Sequence, residues 1–236
     1  MKKITLVCVG SVHHDLMKFS IEKSLENVRD CEEVLTISNK QVIDHGTFVE
    51  LPDEFSISDY NHLMLKELHK FIKTEFALII QYDGMAVRKE FWNDKFYKYD
   101  YIGAPWPTRF NWIKETERVG NGGFSLRSQK LLECLKDKAI HMGNDIRSKN
   151  EDAVICQSGS LYLKQVYGIK YAEPEFANQF STEWCNPSGK TFGFHGAWNF
   201  PLFFDKETTQ DYLNKISSDY WLDDRKQMLN KILEKI

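Results

Sequence analysis

The chain has 236 residues, 42% of them hydrophobic and 28% charged, which suits one large domain, alone or with a small appendage, and excludes a disordered chain. Its formal net charge of -3 supplies no whole-molecule field for nucleic acid, so no nucleic-acid partner is expected. The five cysteines, Cys8, Cys31, Cys134, Cys156 and Cys185, are scattered and never spaced as CxxC. That pattern predicts reduced thiols in a cytoplasmic compartment, not a disulfide framework or a zinc knuckle.

Ile4 to Val9 is a continuous apolar run that predicts a strand covered on both faces. The chain opens Met1-Lys2-Lys3, but the apolar run is short and His13, His14 and Asp15 follow it, so it reads as a first strand and not as an export signal. Met17, Ile21, Leu25 and Val28 recur at helical spacing, and Glu33 to Ile37 predicts a second strand. The intervening turn, Gly10-Ser11-Val12, lacks the GxGxxG fingerprint of a dinucleotide fold. Ser56-Ile57-Ser58-Asp59 can cap a helix that carries Tyr60, Leu63, Met64, Leu68, Phe71 and Ile72 on one face. The apolar run 76–81 then predicts a buried strand that delivers Asp83 just beyond its carboxyl end, where open α/β sheets bind ligands.

Residues 101–121 are rich in turns. They lead into Val119-Gly120-Asn121-Gly122-Gly123-Phe124-Ser125-Leu126-Arg127-Ser128, where glycines crowd the start of a short alternating strand. Such a cluster lets a backbone be approached closely or turn with positive φ. Lys130 to Lys138 and Asp152 to Tyr167 predict helices, and the stretch after Ala172 is irregular and aromatic. The tail from Asp205 to Ile236 carries a helical stripe of Leu222, Leu229, Ile232, Leu233 and Ile236. Mixed charges on its polar face favour packing on the core or on a second copy, as in a homodimer, over docking on a membrane. No run approaches the roughly 20 apolar residues that span a bilayer, which leaves peripheral contact as the form of membrane association to expect.

Three motifs taken in order, Tyr99-Asp100-Tyr101-Ile102-Gly103-Ala104-Pro105-Trp106, then Gly120-Asn121-Gly122-Gly123-Phe124-Ser125-Leu126-Arg127, then Asn150-Glu151-Asp152, resemble a family of bacterial and viral proteins with a GT-A glycosyltransferase fold. The resemblance runs over residues 3–200 in motif order. A more remote one, to fringe and β1,3-galactosyltransferases, lies in the succession of acidic motif, glycine-rich strand, Glu-Asp pair and late histidine. It implies an α/β domain over residues 1–204, with a Rossmann-like nucleotide-binding half and a mixed central sheet flanked by helices. Residues 205–236 would then be a helical C-terminal extension. The implied activity is metal-dependent, inverting transfer of a sugar from a nucleotide-diphosphate donor, UDP-sugar favoured, to a hydroxyl of a glycan or lipid-linked glycan acceptor. In such enzymes an Asp-x-Asp motif and a late histidine hold the divalent cation on the donor diphosphate.

Carried onto this chain, the cation ligands are Asp83 and His195, because hard oxygen ligands suit a cation that stabilises a departing diphosphate. Imidazole favours Mn2+ over Mg2+. The chain departs from the pattern at Gln81, which stands where the first carboxylate of Asp-x-Asp would be; with Asp83 it is assigned to the donor, where its amide can hydrogen-bond a ribose or water but adds no charge to a metal site. Glu151 and Asp152 are adjacent at a helix start, so their side chains diverge by about 100° and cannot flank one glycosidic bond together. Asp152 is assigned as the base that deprotonates the acceptor and Glu151 as the group that orients it; stabilisation of the helix start is the alternative for both. Gly122 and Gly123 would bring backbone beside the donor sugar, and Trp106 would offer its ring to the acceptor. Val9, Gly10, Ser38 and Asn39, after the first two strands, are the positions for base and ribose. Two other classes compete: a metal-dependent nucleotidyltransferase, which would want more clustered carboxylates, and a non-catalytic sugar- or nucleotide-binding module, which Gln81 favours.

Overall fold

The computed structural model describes residues 2–114 and 117–234, so the stripe residue Ile236 lies outside the described residues. Strand β1 (Ile4–Val9) is buried along its whole length. It pairs in parallel with β2 (Cys31–Ser38) on one side and β4 (Phe76–Ile80) on the other, and β3 (Thr47–Glu50) adds in parallel to β2. Helix α1 (His14–Asn27) connects β1 to β2 and buries Leu16, Met17 and Ile21. The central strands β1 and β4 are buried along their whole length because both faces of the sheet are covered there, whereas the edge strand β3 is largely exposed. Beyond β4 the sheet turns antiparallel, through β7 (Ser125–Ser128) to the edge strand β6 (Tyr101–Gly103). The order is β3-β2-β1-β4-β7-β6, a mixed and mostly parallel sheet flanked by helices, in keeping with the α/β class expected.

The predicted cap at Ser56 is a capping box. The Ser56 hydroxyl accepts from the Asp59 amide at 3.2 Å and the Asp59 carboxylate accepts from the Ser56 amide at 2.9 Å. The helix it starts, α2 (Ile57–His62), loosens into a π-helical turn, Leu63–Glu67, and a 3-10 turn, Leu68–Lys70. Helix α3 (Gln129–Cys134) is shorter than the helix expected to Lys138. The helix expected over 152–167 is broken as well: α4 (Glu151–Ala153) passes into a π-helical turn, Val154–Ser158, before α5 (Ser160–Tyr167).

A second sheet runs β5-β9-β8 and stands at the carboxyl end of β4. A two-residue turn, Tyr82-Asp83, joins β4 to β5 (Gly84–Ala86), closed by the Gly84 amide donating to the Gln81 carbonyl at 3.1 Å. Helix α6 (Pro174–Phe180) leads straight into β8 (Ser181–Thr182), which lies parallel to β9 (Gly193–His195). This sheet shares a second core with the C-terminal helices: Met85, Phe194, Trp198 and Phe200 pack with Tyr212 of α7 (Lys206–Asn214), Tyr220, and Ile232 of α8 (Asp223–Leu233). Of the tail stripe, Ile232 is buried, whereas Leu222 and Leu233 are about half exposed, at 56% and 48%. Among the described residues no helix is long and apolar enough to cross a membrane.

Candidate active site

Pairing of β5 with β9 sets Gly84 opposite His195 and so carries the histidine to the Tyr82-Asp83 turn. His195 Nε2 lies 3.3 Å from Asp83 Oδ1 and 3.0 Å from Gln81 Oε1, so three residues singled out in the sequence converge on one point. Gln81 is turned that way by its amide nitrogen, which donates to the Tyr60 hydroxyl at 2.9 Å. The other ring nitrogen, Nδ1, faces Glu183 Oε1 at 2.9 Å, with the Asn121 amide nitrogen 3.1 Å away. Burial alone would lower the imidazole, but the Asp83 and Glu183 carboxylates override it and raise His195 to about 10. Burial works against the Asp83 carboxylate too, yet the His195 charge and the hydrogen bonds from His195 and Tyr220 hold it below its ordinary value.

The glycine segment lies against this cluster, but its glycines make room for the protein's own side chains. A Cβ on Gly123 would sit 2.1 Å from His195 Nε2, one on Gly122 1.9 Å from Glu151 Oε1, and one on Gly120 2.0 Å from the Trp106 ring. Gly122 and Gly123 are buried, which corrects the expectation that they leave space for the donor sugar: the approaching groups are a carboxylate and an imidazole. Asn121 holds the corner with a left-handed φ of 51°, a conformation asparagine tolerates better than most residues.

Glu151 is corrected in the same way. Both of its oxygens are taken by Arg127, at 2.9 Å each, in a buried bidentate pair, so the carboxylate does not face an acceptor. Arg127 also donates to Ser125 Oγ at 3.0 Å, and Ser125 Oγ donates in turn to the Gly122 carbonyl at 3.0 Å. The ion pair therefore braces the glycine corner from behind. Asp152, one position and about 100° further round α4, is turned to the Gly122 amide instead of to Arg127. It is half-buried, accepting from the Gly122 amide at 3.2 Å and from the Ala153 amide at 2.7 Å. Burial, reinforced by the Glu151 charge, raises its carboxyl to about 7 against the lowering effect of those two amides. A carboxyl poised near neutrality is what a general base needs.

Val9 and Ser38 are buried at the carboxyl ends of β1 and β2, so of the four residues assigned to base and ribose it is Gly10 and Asn39 that reach the surface. Asn39 Oδ1 lies 2.8 Å from His14 Nε2, and the neighbouring His13 ring packs on Tyr82 at 4.7 Å, which joins this corner to the Asp83 turn. Trp106 is only 6% exposed and its ring is committed to Gly120 and Trp112, which makes it a packing residue first. Its edge still lines an open cleft of about 640 Å³ shared with Arg109, Trp184 and Lys231.

Among the described residues no three His, Cys, Asp or Glu side chains converge as a ready-made metal cage. The donor set nevertheless fits a divalent cation: one carboxylate oxygen, one amide oxygen and one imidazole nitrogen lie together, and a substrate diphosphate commonly supplies the remaining ligands of such a site. Two carboxylates, Asp83 and Glu183, flank the imidazole, and Glu183 Oε2 is buried without a hydrogen-bond partner. Glu183 also orients the imidazole, as carboxylate partners of metal-bound histidines do. No local spacing marks Glu183 or Tyr220, and helical spacing marks Tyr60 only as part of the apolar face of its helix, not as the partner of Gln81. Asn121 and Arg127 lie inside the glycine motif, which by itself assigns them no role.

A family described as "Protein of unknown function (DUF5672)" matches residues 46–195. A search of the curated proteins finds no match. Among solved structures, the fold is similar to galactosyltransferase LgtC in complex with donor and acceptor sugar analogues, with a TM-score of 0.56, 10% identity, and coverage of 95% of this chain and 99% of that one. A glycosyltransferase involved in glycosylation of the major capsid of PBCV-1 aligns with a TM-score of 0.52, 11% identity, and coverage of 91% and 100%. The apo form of glycosyltransferase GlyE from Streptococcus pneumoniae TIGR4 aligns with a TM-score of 0.50 and 13% identity over 100% of this chain, which spans 64% of GlyE. The chain belongs to the DUF5672 family of proteins of unknown function, and its fold is that of the GT-A glycosyltransferases.

Proposed function

We propose that the protein is a glycosyltransferase that moves a sugar from a nucleotide-diphosphate donor, a UDP-sugar in the first instance, to a hydroxyl of a glycan or lipid-linked glycan. The observation that carries this reading is the meeting of Gln81, Asp83 and His195 at the carboxyl end of β4, with Asp152 held by the adjoining glycine corner. Asp152, with its carboxyl near 7, takes the acceptor proton as the hydroxyl oxygen bonds to the anomeric carbon, and the bond from that carbon to the diphosphate oxygen breaks. Attack from the face opposite the leaving diphosphate inverts the anomeric centre. Asp83, Gln81 and His195 would hold a divalent cation, Mn2+ preferred over Mg2+ because of the imidazole, which would neutralise charge on the departing diphosphate. Gly10 and Asn39 would meet the nucleotide.

Gln81 favours one further reading, a binding module of the same fold that has lost transfer. A thermal shift series with nucleoside diphosphates, with and without Mn2+, separates the two when followed by donor turnover. Stabilisation by UDP that requires Mn2+, with release of UDP in the presence of acceptor, is the expected result. Binding without turnover on any acceptor would leave a nucleotide-binding module, and no shift with any nucleotide would remove the transferase and leave only a sugar-binding module.

A further inference from the structure

Asp83 is held from two sides, and one of them belongs to the C-terminal segment. Oδ1 faces His195 Nε2 at 3.3 Å, while Oδ2 accepts a hydrogen bond from the Tyr220 hydroxyl at 2.8 Å. Tyr220 is 8% exposed and its placement is over-determined. Its oxygen accepts from the Ala197 amide at 2.9 Å, which aims the O–H toward Asp83. The Arg225 guanidinium lies 4.4 Å over its ring and donates to its carbonyl at 2.8 Å. Tyr212 donates to the carbonyl of Tyr82, so both residues of the turn are tied to the segment beyond residue 204.

We propose that Tyr220 is a positioning residue for Asp83, and that the C-terminal segment is thereby part of the active site. A carboxylate at the tip of a two-residue turn rotates freely about its side-chain bonds unless something fixes it. With Oδ2 pinned by Tyr220, Oδ1 is turned toward His195 Nε2 and Gln81 Oε1, the atoms that the proposed function assigns to the cation. The inference rests on that assignment.

Mn2+ binding to the full chain, measured by calorimetry and by the signal of free Mn2+ in electron paramagnetic resonance, tests it without any turnover assay. Tyr220→Phe keeps the ring beneath Arg225 and removes only the hydroxyl. Loss of such a supporting hydrogen bond is expected to weaken Mn2+ about 10- to 100-fold. Tyr212→Phe, which removes a bond from the same segment to the same turn but leaves Asp83 untouched, is expected to bind Mn2+ as the wild type does. Equal affinity of Tyr220→Phe and wild type overturns the inference alone, and so does equal weakening in both variants, which would mark a general loosening of the turn. A wild type that binds no Mn2+ overturns the inference together with the metal assignment beneath it. Should Tyr220→Phe fail to fold, Arg225→Lys, which keeps a positive charge near Asp83 but removes the guanidinium stacked on the Tyr220 ring, takes its place and is judged by the same outcomes.

Discussion

Desolvation of the half-buried Asp152 side chain and the neighbouring Glu151 charge raise its carboxyl to about 7, so the fraction able to accept a proton grows as pH rises through that value. Turnover is expected to rise about tenfold per pH unit below 7 and to level off above it. Asp152→Asn should lower turnover about 100- to 10,000-fold while leaving nucleotide affinity near that of the wild type; an unaltered pH–rate profile in the variant would move the base elsewhere. Arg127 and Glu151 make the opposite kind of prediction. Arg127→Met strands a buried carboxylate and is expected to cost about 3 to 5 kcal/mol in urea unfolding, and Arg127→Lys should recover little because one ammonium cannot replace two parallel hydrogen bonds. Gly123→Ala would drive a methyl into the His195 ring, at 2.1 Å from Nε2, and is expected to abolish Mn2+ binding in a protein that still folds. At this scale residue type and motif order marked Asp83, Asp152 and His195 as candidates, and the structure sets Asp83 beside His195 and Asp152 against the Gly122 amide. Glu151 was misassigned because whether a carboxylate meets a ligand or an arginine depends on what packs against it.

Strands were the most legible elements, since an unbroken apolar run such as Ile4 to Val9 has no other comfortable place in a folded chain. The capping box at Ser56 was equally readable, because it depends on residues three apart. The π-helical turns after Ala153 and after His62 were not readable; each follows directly on the short helix that carries Asp152 or Tyr60. Nor was the register of β5 against β9, which alone brings His195 to Asp83. The tail makes the element-scale prediction. Because Tyr212, Tyr220 and Ile232 share a core with Met85, Phe194 and Phe200, a chain ending at residue 204 would expose that apolar surface. It is expected to aggregate or to be degraded in limited proteolysis; a stable, monodisperse 1–204 fragment would restore the tail as an appendage.

For the molecule as a whole, the charged cluster links stability, pH and metal. His195 is raised from 6.5 to about 10, so without metal its contribution is complete below 6.5 and is lost as pH climbs through 10. Asp152 is raised from 3.8 to about 7, so the folded state loses ground as pH rises across that interval as well. The melting temperature of the metal-free protein is therefore expected to fall between neutral and alkaline pH. If His195 holds the cation as proposed, Mn2+ would displace its proton, which predicts an affinity that rises about tenfold per pH unit up to the histidine's folded value. Calorimetry in buffers of different ionisation enthalpy would count the released proton, and a pH-independent affinity would exclude His195 as a ligand.

From its residues alone the chain determined an α/β architecture with its first strands and helices and marked a few acidic and imidazole residues as candidates for a site, because apolar periodicity, caps and motif order are local properties. Tertiary structure decided where those groups sit. It turned Glu151 to Arg127, filled the space beside Gly122 and Gly123 with Glu151 and His195, set Glu183 behind the imidazole and brought Tyr220 from the tail to Asp83. Each of these depends on which distant segments share a buried volume, and local residue order does not encode that.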